Sequence, residues 1–297
     1  MTEFLDAVAK YPFMQNALLA GVLASIACGV IGTYVVVRRI TYIAGAISHS
    51  VLGGIGAAVY LRDVRGWPLV TPFGGAIVAA LLSALIIGFV SIRAKEREDT
   101  VIGAIWAIGM AVGVLFMSQT PGYGQDLMSY LFGNILMVTP ADLWLMAALD
   151  AGVIALAVIF YNQFLAVCFD EEFAALRGVN VQLYYLLLLC LTALTVVLLV
   201  TVVGIVLVIA LLTLPVAIAG HFSRRLWQMM VLAGFLSALF TSAGLAVSFK
   251  PNLPSGATTI IIAGAAYLFM IGFVHRLRSK RHRLHRAEDK ARVGAPM

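Results

Sequence analysis

The sequence predicts an all-α membrane protein, a single bundle of about nine transmembrane helices, and three observations support this prediction. Hydrophobic residues make up 62% of its 297 positions, and charged residues make up only 11%. Soluble domains carry about 25% charged residues, so this chain has too little charge to cover a water-facing surface. Long apolar runs recur along the chain, and the basic residues between them are concentrated in alternate connections.

Nine segments are long and apolar enough to cross a bilayer, which takes about 20 mainly apolar residues. They lie near residues 14–37, 43–61, 70–92, 100–118, 139–161, 182–200, 203–220, 227–248 and 257–274. The N-terminus lacks the basic stretch of a signal peptide, so we expect the first span to be retained. Residues 128–137 are apolar but too few to cross, and we expect an outer-face or re-entrant helix there.

Glycines recur at near-helical spacing inside these spans. The second span contains Gly53, Gly54 and Gly56, and the fourth contains Gly103, Gly109 and Gly113. Small residues allow membrane helices to approach one another closely. The pattern therefore predicts tight packing of these two helices against their neighbours.

The distribution of basic residues predicts the orientation. If the N-terminus lies outside, sixteen of the twenty Lys and Arg residues fall on the cytoplasmic side, as the positive-inside rule requires. Eight of these follow Val274, in a cluster typical of a cytoplasmic flank that meets anionic lipid. We expect one transmembrane domain over residues 1–274 and a basic cytoplasmic tail over 275–297. The net charge of +6 then needs no nucleic-acid partner.

Two ionisable residues stand out inside predicted spans, where such groups are costly and often functional. His49 lies in the second span and Asp150 near the centre of the fifth. Imidazole and carboxylate groups suit zinc, manganese or ferrous iron. His49 either lines a transport pathway or bonds a backbone carbonyl in helix packing. Asp150 either faces a pathway or is a protonated or water-bonded aspartate, unless the span boundary is misplaced.

Other polar residues give weaker signals. Asp126, in the predicted outer loop, either attracts cations at an entrance or caps the short helix that follows. His221 lies beside Arg224 and Arg225, where a solvated flank is the simpler interpretation. The three cysteines are widely separated and indicate neither a disulfide framework nor a zinc cluster.

The predicted cytoplasmic segment 169–178 has the pattern of a short, well-delimited helix. Asp170 is a favourable N-cap, and Glu171 and Glu172 suit the first turn. Gly178 is a natural C-terminal stop. A helix of about two turns is marginal alone, so it either docks against another surface or is a plain connector.

Three stretches resemble the permeases of ATP-driven importers for zinc, manganese and iron, within the ABC transporters. The first comprises Arg38-Arg39, Ile47–Ser50 and Gly53–Gly56, the second is Asp126–Leu136, and the third runs from Phe169 through Gly178 and Val203–Leu207 to Ala210–Pro215. The resemblance covers residues 13 to 274. It implies a bundle like that of type II ABC importers, in the inner or plasma membrane of a prokaryote.

The resemblance also implies roles and partners. In such permeases a segment like 169–178 docks into a cleft on the ATPase, which maps onto Asp170, Glu171, Glu172, Ala174 and Gly178. It implies a homodimer, two ATP-binding subunits, an extracytoplasmic metal-binding protein and a gating or helix-breaking role for Pro215. The chain has no GxxxxGK[ST] phosphate loop, so we expect a transport subunit rather than an enzyme, with ATP held by its partner.

The resemblance places His49 in the metal pathway but leaves the metal open. Many members, notably manganese importers, carry an aspartate four residues before this histidine, where this chain has Gly45. The pathway is therefore poorer in hard oxygen ligands. We expect a transported divalent metal rather than a permanently bound cofactor, with zinc favoured and manganese or iron as alternatives.

Two other functional classes remain as alternatives. An ion-gradient-driven secondary transporter would not need an ATPase-docking helix and would more often show intramembrane carboxylate chains. An intramembrane serine protease would need a nucleophile such as Ser48 or Ser255. Adjacent Ser48 and His49 point to different faces of a helix and cannot form a dyad, and Ser255 lies in a turn-like loop.

Overall fold

The computed structural model describes residues 2–93, 98–121, 127–133, 135–251 and 253–293. These residues form α-helices, one 3-10 turn at Ile135–Met137 and short connections, with no strand in any of the described ranges. The helices are α1 Thr2–Lys10, α2 Pro12–Val37, α3 Thr41–Asp63, α4 Pro72–Arg93, α5 Glu98–Ser118, α6 Leu127–Phe132, α7 Pro140–Ile159, α8 Tyr161–Phe169, α9 Glu171–Leu176, α10 Val181–Val203, α11 Ile205–Phe222, α12 Leu226–Phe249 and α13 Ser255–Val293.

Within this described part of the chain, nine helices are long and apolar enough to span a membrane, which confirms the predicted fold class. They are α2 to α5, α7 and α10 to α12, together with Ser255–Val274 of α13. Their bounds lie within three residues of the predicted ones. The short N-terminal helix α1 was not predicted. It precedes Pro12, which occupies the first turn of α2, where proline is well tolerated.

The second span is at the centre of the bundle. Most residues of α2, α3 and α10 are buried, whereas fewer than a quarter of the residues in the spans of α5, α7 and α13 are. Helix α3 packs between α4 and α5, and α2 packs against α7, α11 and α12. The helix that carries His49 is therefore surrounded by others, and α5 covers one side of it.

Glycines set the distances between α3 and its two neighbours. A Cβ added at Gly53 would lie 2.7 Å from the carbonyl oxygen of Gly109, and one at Gly56 would lie 2.7 Å from that of Gly113. On the other side, Gly54 meets the backbone of Gly75 in α4. The predicted close packing is confirmed at these positions. It fails at Gly103, where an added Cβ would meet open space.

One end of the bundle is shaped by a sharp junction between α10 and α11. Gly204 alone separates these helices, and its φ of 82° is a conformation that glycine adopts readily. Its backbone contacts Gly133, which follows α6 and has a φ of 73°. The apolar segment near residues 128–137 therefore forms a six-residue helix that packs at this junction. Whether it is re-entrant stays a prediction.

Helix α11 does not end at the residue for which a helix break was predicted. Pro215 is buried inside α11, which continues to Phe222, and the break in this part of the chain lies at Gly204 instead. A proline inside a helix removes one backbone hydrogen bond and favours a local bend. A gating role for Pro215 stays a prediction.

Candidate functional site

His49 lies in the middle of the bundle with an aromatic partner that the sequence did not reveal. Its ring is half-buried in α3 and stacks on Trp106 of α5, with ring centroids 4.6 Å apart and an interplanar angle of 22°. Its Nδ1 is buried and has no hydrogen-bond partner in the structure. Nδ1 therefore does not make the bond to a backbone carbonyl that the packing alternative requires of one ring nitrogen.

The indole of Trp106 occupies the space one helical turn before His49. A Cβ added at Gly45 would lie 2.7 Å from Cζ3 of Trp106. Any side chain at position 45 would therefore displace the indole. Gly45 leaves this turn without a carboxylate, and it also leaves space for the ring of Trp106. We call His49, Trp106 and Gly45 the pathway site.

Trp106 was missed because its partner lies on another helix. One signal was available: tryptophan in membrane proteins is enriched at the two interfaces, whereas Trp106 lies near the middle of α5. An aromatic ring at that depth indicates a specific contact. The identity of that contact depends on how α3 and α5 are aligned.

Asp150 is buried, and the helix that carries it packs mainly against helices other than α3 and α5. It projects from α7, is 4% exposed, and its Oδ2 has no hydrogen-bond partner in the structure. Helix α7 packs mainly against α2 and α10, and the carboxyl is near enough to Cys28 of α2 to interact with it electrostatically. The structure therefore does not bring Asp150 and His49 together, and its role in the pathway stays a prediction.

The remaining candidates that the structure describes do not join His49. Asp126 lies outside the described residues. His221 is exposed at the end of α11, as expected for a solvated flank. Ser48 is fully buried, and its hydroxyl donates to the carbonyl of Ala44 within its own helix. In the described ranges, no three or more His, Cys, Asp or Glu side chains come together as a metal-binding group.

Residues 169–178, which we call the coupling segment, fold as the sequence predicted. Asp170 is the N-cap of α9, and its carboxylate accepts a 2.9 Å hydrogen bond from the amide of Phe173. At the other end Gly178 has a φ of 78° and donates to the Ala175 carbonyl, while Val179 donates to that of Ala174. These paired bonds form a Schellman motif.

An ion pair joins the coupling segment to the connection that precedes α3. Arg38, just after α2, pairs with Glu171. Its guanidinium also lies over the ring of Tyr185 in α10, 5.3 Å from the centroid. Arg38 therefore contacts α9 and α10 immediately before the chain turns into the helix that carries His49. A cavity of about 430 Å³ lies beside it.

The outer face of the coupling segment combines apolar and acidic groups. Ala174 is fully buried against the bundle, whereas Phe173 is 51% and Leu176 87% exposed. Glu172 is also exposed. Exposed large apolar groups beside charges are typical of a protein-binding surface, since such groups gain free energy when another surface covers them.

Cys168 is buried just before the coupling segment. Burial raises the pKa of its thiol to about 12, although the positive charge of Arg38 acts in the opposite direction. Without a bound cation the thiol is therefore disfavoured as a thiolate, the reactive form of cysteine.

Comparisons with known proteins place these features in context. The profile described as the ABC 3 transport family matches residues 10–274. A membrane protein of Synechocystis, slr2045, is 44% identical over 92% of this chain and 95% of its own length. The manganese transport system membrane protein MntC of Listeria monocytogenes is 37% identical over 91% of this chain and 93% of its own length.

A solved structure agrees with the sequence comparisons. The structure described as PsaBC from Streptococcus pneumoniae in complex with Fab superposes with a TM-score of 0.80 at 32% identity, covering 91% of this chain and 94% of that one. Together with the nine apolar helices, these relatives confirm the predicted localisation in the inner membrane as a multi-pass protein.

Proposed function

The chain belongs to the ABC 3 transport family, and on this premise we propose that it is the membrane-spanning permease of an ATP-driven importer of divalent metal ions. The observation that carries this proposal is His49. A half-buried imidazole inside a membrane bundle, with a nitrogen that makes no hydrogen bond, has a donor atom left to bind a metal ion. A transported ion needs such sparse coordination, because an ion in a closed cage would not leave.

The metal itself is the finer part of the proposal. Gly45 leaves His49 without a carboxylate one turn away, which favours zinc over manganese since manganese prefers oxygen ligands. A relative named for manganese transport points the other way. The proposed cargo is therefore a divalent metal ion that an imidazole can bind, and the zinc preference stays a prediction.

We propose that the coupling segment docks on a separate ATP-binding subunit. Its caps fix a short helix, its exposed face carries Phe173, Leu176 and Glu172, and Arg38 joins it to the start of α3. Movement of the docked helix would thereby reach the helix that carries His49. With the N-terminus outside, the segment lies on the side richer in Lys and Arg, where a cytoplasmic ATPase would meet it.

The family also supports the remaining proposed partners. A second copy of the chain would complete the permease, and an extracytoplasmic metal-binding protein would deliver the ion. Residues 1–274 would form the permease domain, and 275–297 the basic cytoplasmic tail. The contacts described above all lie within one chain. Each proposed partner can be tested separately by reconstitution.

Accumulation of metal in vesicles tests the proposed function. The permease is reconstituted with its ATPase and binding protein, and lumenal Zn²⁺, Mn²⁺ and Fe²⁺ are measured separately with and without ATP. Accumulation has to be measured rather than inhibition, since Zn²⁺ binds most protein sites more tightly than Mn²⁺. Faster ATP-dependent accumulation of Zn²⁺ would confirm the zinc prediction. Accumulation of Mn²⁺ alone would contradict it and leave the importer proposal intact, and ATP-independent accumulation of any metal would contradict the importer.

Two substitutions test the docking role of the coupling segment. Glu172→Ala removes an exposed charge, and Gly178→Ala places a side chain at a left-handed φ, which costs about 1–2 kcal/mol. Both are expected to leave membrane insertion intact and to lower metal imported per ATP hydrolysed. Gly66→Ala is the matched control, because Gly66 also has a positive φ and open surroundings. Normal import by Glu172→Ala and Gly178→Ala would contradict the docking role.

A further inference from the structure

A cavity lies directly below the pathway site, on the side of the coupling segment. It has a volume of about 410 Å³ and is lined by Tyr42, Asp99, Ile102, Gly103 and Trp106. Tyr42 stands at the start of α3 and Asp99 at the start of α5, and both are exposed. Arg38, four residues before Tyr42, pairs with Glu171. The mouth of this cavity, which we call the release cavity, therefore opens on the same side as the coupling segment.

Trp106 stands between the release cavity and His49. His49 and Trp106 each lie eight residues from the start of their helices, which at 1.5 Å per residue places both about 12 Å from that end. The indole lines the cavity on one side and stacks on the imidazole on the other. A ring in this position covers the imidazole towards the cavity.

The release cavity also carries a ligand suited to a departing cation. The Asp99 carboxylate is exposed at its mouth, and the rest of the lining is apolar apart from Tyr42. A carboxylate near water binds a divalent ion weakly enough for rapid release. The order of groups from the bilayer interior outwards is thus imidazole, indole, cavity and carboxylate.

We propose that Trp106 is the inner gate of the metal pathway and that Asp99 receives the ion in the release cavity. With the indole stacked on His49 the path is closed, and turning the indole away exposes the imidazole to the cavity. In this closed position the indole fills the space left by the missing side chain of Gly45. This inference rests on the proposed function, since it takes His49 as a metal ligand.

Accessibility of position 49 from the coupling-segment side tests the gate without relying on transport. His49→Cys is introduced into the full chain, and vesicles with that side outward are treated with a membrane-impermeant thiol reagent. The parent protein with Cys28, Cys168 and Cys190 gives the background. Labelling is expected to be slow with Trp106 and several-fold faster with Trp106→Ala, because the indole lies between position 49 and the release cavity and its removal opens the way for the reagent.

Two further variants test the gate even if Trp106→Ala does not fold. Gly45→Ala is expected to push the indole out of place and raise the labelling rate, whereas Trp106→Phe keeps a ring and leaves labelling slow. Trp144→Ala, which alters a 78% exposed tryptophan of α7, and Gly264→Ala, at a position with open surroundings, are the matched controls. A labelling rate that neither Trp106→Ala nor Gly45→Ala changes would overturn the gate.

Transport measurements separate failure of the gate from failure of the proposed function. In the reconstituted complex, Asp99→Asn with native His49 and Trp106 is expected to slow ATP-driven Mn²⁺ or Zn²⁺ uptake several-fold. The same change made in the His49→Cys protein should leave the labelling rate as it was. Unchanged uptake in Asp99→Asn would overturn its role as acceptor.

If His49→Ala imports normally, the proposed pathway fails even where labelling responds to Trp106→Ala. If His49→Ala abolishes import while labelling ignores Trp106→Ala, only the gate fails.

Discussion

His49 stacks on the indole of Trp106 and leaves Nδ1 without a hydrogen bond, whereas Asp170 at the start of α9 is fixed by a backbone hydrogen bond within its own turn. The pathway site is thus held by packing between two helices, and it is poor in polar contacts. The coupling segment has a cap at each end and an ion pair to Arg38. Under the proposed function, the residue that would bind a passing ion keeps an unpaired nitrogen, while the helix that would transmit movement is fixed by local hydrogen bonds and an ion pair.

The largest expected effect belongs to the pathway site. His49→Ala removes the candidate ligand, and since loss of even an outer contact to a metal ligand typically costs 10–100-fold in affinity or activity, we expect import to fall by at least about tenfold. ATP hydrolysis by the assembled complex should persist, because the coupling segment is untouched. Metal accumulation and ATP turnover are measured in the same vesicles.

Two variants test the specificity of the His49 result. His221→Ala changes an exposed histidine at the end of α11 and is expected to leave import unchanged. Asp150→Asn removes the charge of a buried carboxyl whose helix packs on α2 and α10, and we expect import close to that of the parent protein. A loss of import in Asp150→Asn as large as that in His49→Ala would show that the pathway extends to α7.

A smaller effect is expected at the N-cap of the coupling segment. Asp170→Ala removes the bond to the Phe173 amide and should destabilise α9 by about 1 kcal/mol, the usual cost of an N-cap. Because α9 has only six residues, this loss should loosen the helix and lower the metal imported per ATP. The ratio of the two rates is the measurement.

The control for Asp170 is a second capped helix elsewhere in the chain. Thr139 caps α7 through a capping box with Asp142, so Thr139→Ala loses a comparable local contact. It is expected to lower stability without changing the metal-to-ATP ratio. If both variants change that ratio equally, the effect of Asp170→Ala reflects general loss of stability and the coupling role is contradicted.

The smallest effect is expected for the ion pair between Arg38 and Glu171. Both side chains are partly exposed, at 25% and 44%, and exposed pairs contribute about 0.2–1 kcal/mol. A double-mutant cycle of Arg38→Ala and Glu171→Gln, measured by unfolding of the purified permease in detergent, should give a coupling energy in this range. The Arg62–Asp63 pair at the opposite end of α3 supplies the comparison.

The functional consequence of that pair should exceed its contribution to stability. Arg38→Ala breaks the link between the coupling segment and the start of α3, so import per ATP is expected to fall, while Arg62→Ala leaves it unchanged. If import per ATP stays normal in Arg38→Ala, transmission through this connection is contradicted even where the coupling energy is as expected.

The features that sequence could predict are those set by neighbouring residues. Apolar runs define the spans, and the caps at Asp170 and Gly178 are interactions within a few positions of the chain, so both were found correctly. The stack of His49 on Trp106 depends on the alignment of α3 with α5, and the pairing of Arg38 with Glu171 joins residues far apart in the chain. No local pattern encodes either contact. Asp150 shows the same limit, because its burial was predictable and its helix neighbours were not.

The glycine contacts between α3 and α5 restrict how the pathway can open. Gly53 meets Gly109 and Gly56 meets Gly113 backbone to backbone, so neither helix can slide or roll past the other without a steric clash. We therefore expect the two helices to move together. His49 lies on α3 and Trp106 on α5, so the two residues would move with this pair of helices. Rotation about the side-chain bonds of Trp106 is then the motion that can separate their rings.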